Sequence, residues 1–400
     1  MGAGLVIVGV TLLVVAAISR SLSGTPLTPA ILVVVIGVLT GPLLLDEITA
    51  QPTSATVRTL AEATLAVVLF SDSSHVNLRE LKREVSLPAR LLGVGLPLTV
   101  AAGGLVAAVL FRAFSLSDAF ILAVVLAPTD AGLGSAVVTD EALPPAVRQA
   151  LNVESGLNDG ICVPLLLILL ATVAGAESHP IRVVAEQIGY GALFGIAAAL
   201  LASGIVRYAT RKNLIDRTWR QIVPLATTLI AYGAASAFGG SGFIGAFVAG
   251  ALFGLLIEHE PAHTMDFTEI TGLALDSVTF LVFGAVLLGP ALKHVTWQVI
   301  LYALLSLTFV RIVPVAIALV GTHARPATVA FMGWFGPRGL ASIVFAVIVE
   351  DAHLQNSSTL TTTAYVTVGL SVVAHGLSAA PLVNRYTAWF NSEPERSRTY

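Results

Sequence analysis

Asn152-Val153-Glu154-Ser155-Gly156-Leu157-Asn158-Asp159-Gly160 lies inside residues 145–176 and runs straight into Ile161-Cys162-Val163-Pro164-Leu165-Leu166-Leu167-Ile168-Leu169-Leu170. Two carboxylates and two amides therefore stand within a run long and apolar enough to cross ~30 Å of hydrocarbon as one helix. Measured around that helix from Glu154, Asn158 falls at about 40°, Ser155 at about 100°, Asp159 at about 140° and Asn152 at about 160°. The polar side chains share one arc. Gly156 and Gly160 share another, where a second helix can come close. Pro164 has no N–H, so the carbonyl of Gly160, beside Asp159, loses its helical partner. Oxygen donors of this kind suit a small hard cation, and no histidine accompanies them to suggest a transition metal.

The rest of the chain is of the same kind. Of 400 residues, 56% are apolar and 11% charged, against about a quarter charged in a soluble domain. The reading is an all-α integral membrane protein with membrane lipid as its surroundings. A net charge of −3 without a basic stripe excludes a nucleic-acid partner. One cysteine excludes a disulfide framework, an iron–sulfur cluster and a thiolate zinc site. Thirteen spans are predicted, at 4–19, 27–45, 55–73, 86–113, 117–140, 145–176, 180–208, 218–238, 241–258, 268–289, 297–321, 326–350 and 359–391. The apolar runs are continuous, unlike the alternation of a β-barrel. The first has no basic segment before it and reads as a span, not a signal peptide. With the N-terminus outside and the C-terminus cytoplasmic, fifteen of the 21 basic residues face inward and four (Arg58, Arg112, Arg182, Lys293) outward, as the positive-inside rule requires. Arg311 and Arg338 remain within spans.

An odd number of spans suits two inverted six-helix repeats joined by a linking helix at 180–208. The fifth and twelfth spans then occupy matching places, and both are interrupted: Pro128-Thr129-Asp130-Ala131-Gly132-Leu133-Gly134-Ser135 and Gly333-Trp334-Phe335-Gly336-Pro337-Arg338-Gly339-Leu340-Ala341-Ser342. A broken helix exposes N–H groups at one stump and carbonyls at the other, with partial charges of about half a unit. If the breaks cross at the membrane centre, Asp130 neutralises the positive stumps and Arg338 the negative ones. Spans five and six then hold three carboxylates (Asp130, Glu154, Asp159) against two guanidiniums (Arg311, Arg338). Pairing Arg311 with Glu154 and Arg338 with Asp130 leaves Asp159 to be balanced by a proton or a cation. Competition at one such group, exposed alternately to the two sides, is antiport.

Ala127-Pro128-Thr129-Asp130, Glu154-Ser155-Gly156-Leu157-Asn158-Asp159 and Gly336-Pro337-Arg338-Gly339 together resemble the NhaP/NHE-type sodium/proton antiporters of the monovalent cation:proton antiporter superfamily. The resemblance covers nearly the whole chain. It implies a transporter serving pH homeostasis in the plasma (prokaryotic inner) membrane, not an enzyme, with Na+ and H+ as cargo and no cofactor. Asp159 would bind the ion or proton, and Asp130, Thr129 (through its carbonyl) and Ser155 would complete the Na+ site. Glu154, held by Arg311, would support Asn158, and Arg338 would compensate the helix crossing. The resemblance also implies one exchanger domain that forms a homodimer. Its dimerisation side lies at 1–75 and 218–290, and its mobile core at 86–176 and 297–391. Gly250 and Gly254 fit close packing on the dimerisation side. Asparagine at position 158 marks the branch associated with electroneutral, one-for-one exchange.

Other readings are a K+/H+ exchanger of the same architecture, a channel or sensor on this scaffold, and an intramembrane aspartyl protease. The last would need an aspartate where Gly132-Leu133-Gly134 is followed by Ser135. Among weaker features, Asp276 is expected to share Arg311 or to bond locally to Ser277 or Thr279. Glu62 lines an outer funnel or is simply a satisfied buried acid, Asp72 is solvated, and Cys162 is an apolar filler. His75, His259, His263, Glu258 and Glu260 read as solvated loop residues.

Overall fold

A computed structural model describes residues 2–22, 25–45, 48, 55–75, 86–130, 132–133, 143–173, 180–257, 264–322, 324–352 and 354–392. Regular structure among them is entirely helical: α1 (Gly2–Leu22), α2 (Pro29–Thr40), α3 (Ala55–Ser74), α4 (Ser86–Leu110), α5 (Leu116–Val125), α6 (Pro145–Val173), α7 (Pro180–Arg211), α8 (Arg217–Ala237), α9 (Gly242–Leu256), α10 (Asp266–His294), α11 (Trp297–Ala318), α12 (Pro326–Trp334), α13 (Leu340–Asp351) and α14 (Ser357–Ser392). Among the described residues, α1, α4, α6, α7, α10, α11 and α14 are long and apolar enough to cross a membrane, and α2, α5 and α9 are shorter apolar helices. Large apolar side chains stand on the outside, with Leu5 and Leu13 of α1 at 71% and 70% exposure and Val109 of α4 at 76%. Water would not tolerate so continuous an apolar surface, but lipid does.

The helix ends follow the local chemistry. α2 stops where Gly41-Pro42 begins, shorter than the predicted 27–45. α4 and α10 each widen into a π turn, at Leu91–Gly95 and Phe283–Leu288. Each turn comes just before a proline (Pro97, Pro290) that removes one N–H from the ladder. α5 ends at Val125, short of Pro128, and the remainder of that predicted span, with Gly134 and Ser135, lies outside the described residues. The twelfth predicted span is two helices, α12 and α13, separated by residues 335–339.

The chain divides into two compact units. The first comprises Met1–Arg58, Glu84–Asn158 and Ser277–Tyr400. In it α2 lies on the π turn of α10 at backbone distance, because a Cβ on Gly37 or Gly284 would strike the facing carbonyl of Leu281 or Val34. Leu87, Leu91, Val147, Leu151, Val315, Phe331, Met332 and Val383 form its buried apolar cluster, drawn from α4, α6, α11, α12 and α14. The second unit comprises Thr59–Arg83 and Asp159–Asp276. There α7, α8 and α9 pack on one another, and Phe70, Ala199, Ala231, Ala249 and Phe253 form the core. Gly250 and Gly254 bring α9 onto the backbone of α3 at Phe70 and Ser74.

Candidate functional site

Just past α5 the N–H groups of Leu126 and Ala127 bond back to Leu122 and Val124, and then Pro128 has none to offer. The chain leaves the helix there. The Asp130 N–H donates to the carbonyl of Pro337 at 2.8 Å, so the two interruptions are joined backbone to backbone. Side chains complete the junction in both directions. Arg338, fully buried, donates through Nη1 to the carbonyls of Ala127 and Pro128 at 3.1 and 3.3 Å. Asp130 Oδ2 accepts from the Leu340 N–H at 3.0 Å, and Oδ1 accepts from Gly132 at 2.8 Å and Leu133 at 3.4 Å. A cation thus sits on the carbonyl end of α5 and an anion on the N–H end of α13, each opposite the helix-dipole charge it balances. Glycine is required at 339, since a Cβ there would land on the Asp130 carboxylate.

α6 supplies the second group. Ser155 donates to the Thr129 carbonyl at 2.5 Å. Asn158 holds the same residue twice, donating from Nδ2 to Thr129 Oγ1 at 2.7 Å and accepting the Thr129 N–H on Oδ1 at 3.3 Å. Thr129, just past Pro128, has no helix to satisfy its backbone, and α6 side chains do so instead. One turn away Glu154 accepts both Nη groups of Arg311, at 2.5 and 2.7 Å, with the two side chains 2% and 3% exposed. This fork is the strong geometry for a buried pair. Gly336, in the unwound stretch between α12 and α13, lies so close that a Cβ would meet the Arg311 guanidinium.

The first unit therefore brings together Thr129, Asp130, Glu154, Ser155, Asn158, Arg311 and Arg338. Asp159 is the next residue of α6, where the chain passes into the second unit, and it is 8% exposed. Carboxylate, amide, hydroxyl and freed carbonyl oxygens are the donors an alkali cation takes. In the second unit Gly160 faces the Phe247 ring. Of the weaker features, Glu62 accepts from the Tyr232 hydroxyl at 3.0 Å. His75 is solvent-exposed, as expected, and bonds to the Ser71 carbonyl and to Glu269. Cys162 is buried, and Asp72 and Asp276 are half-buried. His259, His263, Glu258 and Glu260 lie outside the described residues, as do the loop and tail charges Arg79, Lys82, Arg83, Arg396 and Arg398.

Two residues that the sequence reading passed over belong to the same region. Ser371 Oγ accepts the Arg338 N–H at 2.7 Å. His375, one turn along α14, touches Ser371 and the Trp334 carbonyl. The only advance signal was a lone histidine in an apolar span.

A family profile described as "Sodium/hydrogen exchanger, transmembrane" matches residues 9–385. The K(+)/H(+) antiporter NhaP of Alkalimonas amylolytica is 22% identical over 382 residues, covering 94% of this chain and 66% of its own length. The K(+)/H(+) antiporter NhaP2 of Shewanella baltica is 25% identical, covering 81% and 56%. A Na(+)/H(+) antiporter of Schizosaccharomyces pombe is 26% identical over 313 residues, covering 68% and 66%. The chain thus spans somewhat over half the length of these curated relatives. The sodium proton antiporter MjNhaP1 of Methanocaldococcus jannaschii superposes with a TM-score of 0.78 at 17% identity, over 93% of this chain and 98% of that one. At that identity the likeness speaks for the fold.

Proposed function

The chain belongs to the sodium/hydrogen exchanger family, a family of transporters and not of enzymes, and we propose that it exchanges Na+ for H+ across the membrane by alternating access. The observation that carries this reading is the reciprocal capping of two interrupted helices, Arg338 on the α5 carbonyls and Asp130 on the α13 N–H groups. Interrupted helices in a membrane are tolerated where they serve an ion site. Glu154 is paired with Arg311 and Asp130 accepts backbone N–H groups. We assign the exchange to Asp159, the position that the family resemblance gives the ion- and proton-binding carboxylate. Asp159 carries a proton facing one side, releases it there, takes Na+ as its counter-ion and returns. Ser155, the Thr129 carbonyl and Asp130 complete the cation's surroundings, while Glu154, Asn158, Arg311 and Arg338 support them. No cofactor enters the scheme.

With asparagine at position 158, one carboxylate carries one positive charge in each direction, so the exchange is electroneutral. The same reading places 1–75 and 218–290 on the dimer side of a homodimer and 86–176 and 297–391 in a moving core. The two halves are read as inverted repeats, in a plasma membrane with the N-terminus outside. K+ is the second reading for the cation, favoured by the names of the Alkalimonas and Shewanella relatives.

The test is proton release from acid-loaded, sealed proteoliposomes challenged in turn with Na+, Li+ and K+. The wild type is expected to dissipate the gradient with Na+ and the Asp159→Asn protein to be silent. Equal responses from the two proteins would remove Asp159 from the mechanism, and a response to K+ alone would settle the cation the other way.

A further inference from the structure

We propose that His375 is a positioning residue: it holds the helix interruption at 335–339 in its working shape by tying both of its ends to α14. The inference rests on the preceding reading of the interruption as part of the ion site, and it assigns a role to a buried imidazole that the mechanism above does not use.

The bond across to α12 selects the tautomer. The Trp334 carbonyl, at the last residue of α12, can only accept, so the imidazole Nε2 carries a hydrogen and donates to it at 3.0 Å. In that neutral ring Nδ1 is an acceptor, with Ser371 Oγ 3.1 Å away as its donor; the Ser371 carbonyl, 3.0 Å from Nδ1 one turn back on α14, is then a close contact and not a hydrogen bond. Ser371 Oγ in turn accepts the backbone N–H of Arg338 at 2.7 Å. The result is one directed chain from the Arg338 N–H through Ser371 and His375 to the Trp334 carbonyl. It starts just ahead of α13 and ends on the final residue of α12. Both groups have lost their helical partners to the break: the Arg338 N–H is met by Ser371, and the Trp334 carbonyl is met by the Gly336 N–H at 2.9 Å and by His375. The side chain of Trp334 reinforces the tie, donating from Nε1 to Ser378 Oγ at 2.9 Å and packing on the imidazole at a tilt, with ring centres 5.1 Å apart.

What this clamp positions is on either side of it. Within the five residues it spans, Gly336 abuts the Arg311 guanidinium, Pro337 accepts the Asp130 N–H, and Arg338 reaches the α5 carbonyls. Without the Nε2 donor, the Trp334 carbonyl keeps only the Gly336 N–H, 2.9 Å away within the unwound stretch itself, and the imidazole no longer links that stretch to α14. Pro337 and Arg338 are then held less firmly against Asp130 and the α5 carbonyls.

Side-chain geometry provides the test. A glutamine amide nitrogen sits at the reach of the imidazole Nε2, whereas an asparagine amide reaches only as far as Nδ1. Hydrogen exchange of the full chain in lipid nanodiscs, followed on peptides covering 333–341 and 127–131, reads the clamp without reference to transport. His375→Ala and His375→Asn are expected to exchange about tenfold faster there, the effect of one lost hydrogen bond, with His375→Gln near wild type. In proteoliposomes the same two variants should raise the apparent cation KM about tenfold while largely keeping the rate at saturating cation. A merely structural loss would lower that rate and leave KM alone. Unchanged exchange in His375→Ala, a glutamine variant as loose as alanine, or loosening with no change in KM overturns the proposal. A wild type that moves no protons with any alkali cation refutes the transport reading instead, and the exchange measurement still decides whether the clamp exists.

Discussion

Removing one member of the Arg311–Glu154 pair is the most demanding test of how the site is held. The two side chains are 3% and 2% exposed and share two hydrogen bonds. With charge centres ~4 Å apart and an effective dielectric of about 20, their attraction is about 4 kcal/mol. Truncating either partner forfeits that and leaves the other charge buried and unpaired, a change that typically costs about 3–5 kcal/mol. Arg311→Gln and Glu154→Gln should therefore each shift the unfolding equilibrium by more than about 100-fold. The double variant Glu154→Leu with Arg311→Met removes both charges and fills similar volume. It should recover to within about 1–2 kcal/mol of wild type, because apolar replacements of buried pairs are often neutral. Chemical unfolding in mixed micelles, followed by tryptophan fluorescence, measures all four proteins. A single variant as stable as wild type, or a double variant whose loss equals the sum of the two singles, would refute the view that the pair is a mutually neutralising strut.

Three other outcomes are expected. Gly339→Ala drives a methyl into the Asp130 carboxylate and should cost at least about 1–3 kcal/mol together with transport; a wild-type melting curve would show that the α13 entry is looser than described. Asp130→Asn exchanges one acceptor oxygen for an NH2 group facing an N–H at the start of α13, and should destabilise by about 1–2 kcal/mol, checked by the same unfolding assay. Electroneutral exchange predicts no current in solid-supported membranes under a Na+ gradient, since a net charge per cycle would couple to voltage at ~2.3 kcal/mol per 100 mV. A transient current proportional to the gradient would show that more than one charge moves.

Much of the fold was legible because membrane spans are written in composition: seven of the predicted segments return as helices long and apolar enough to cross. Prolines located the interruptions, since Pro128 and Pro337 each remove a donor that a continuous helix requires. Their sequence positions could not say how far each interruption extends. α5 ends at Val125, before its proline, and α12 at Trp334, three residues ahead of Pro337. The complementary charges Asp130 and Arg338 were legible for the same reason, because a charge in an apolar span needs an opposite dipole. Ser371 and His375 were not. Their partners are an N–H group 33 residues away and a carbonyl 41 residues away, and a backbone group carries no residue-type signature. His75 is exposed, as a histidine at a helix end reads, and only its pairing with the distant Glu269 had no sign in the sequence.

The junction of the two interruptions limits where the protein can bend. Parting the end of α5 from the start of α13 would bare the Arg338 guanidinium and the Asp130 carboxylate at once, with several kcal/mol of lost solvation for each. No hinge can run through that crossing, so any swing has to carry the stumps of α5, α12 and α13 as a single rigid piece.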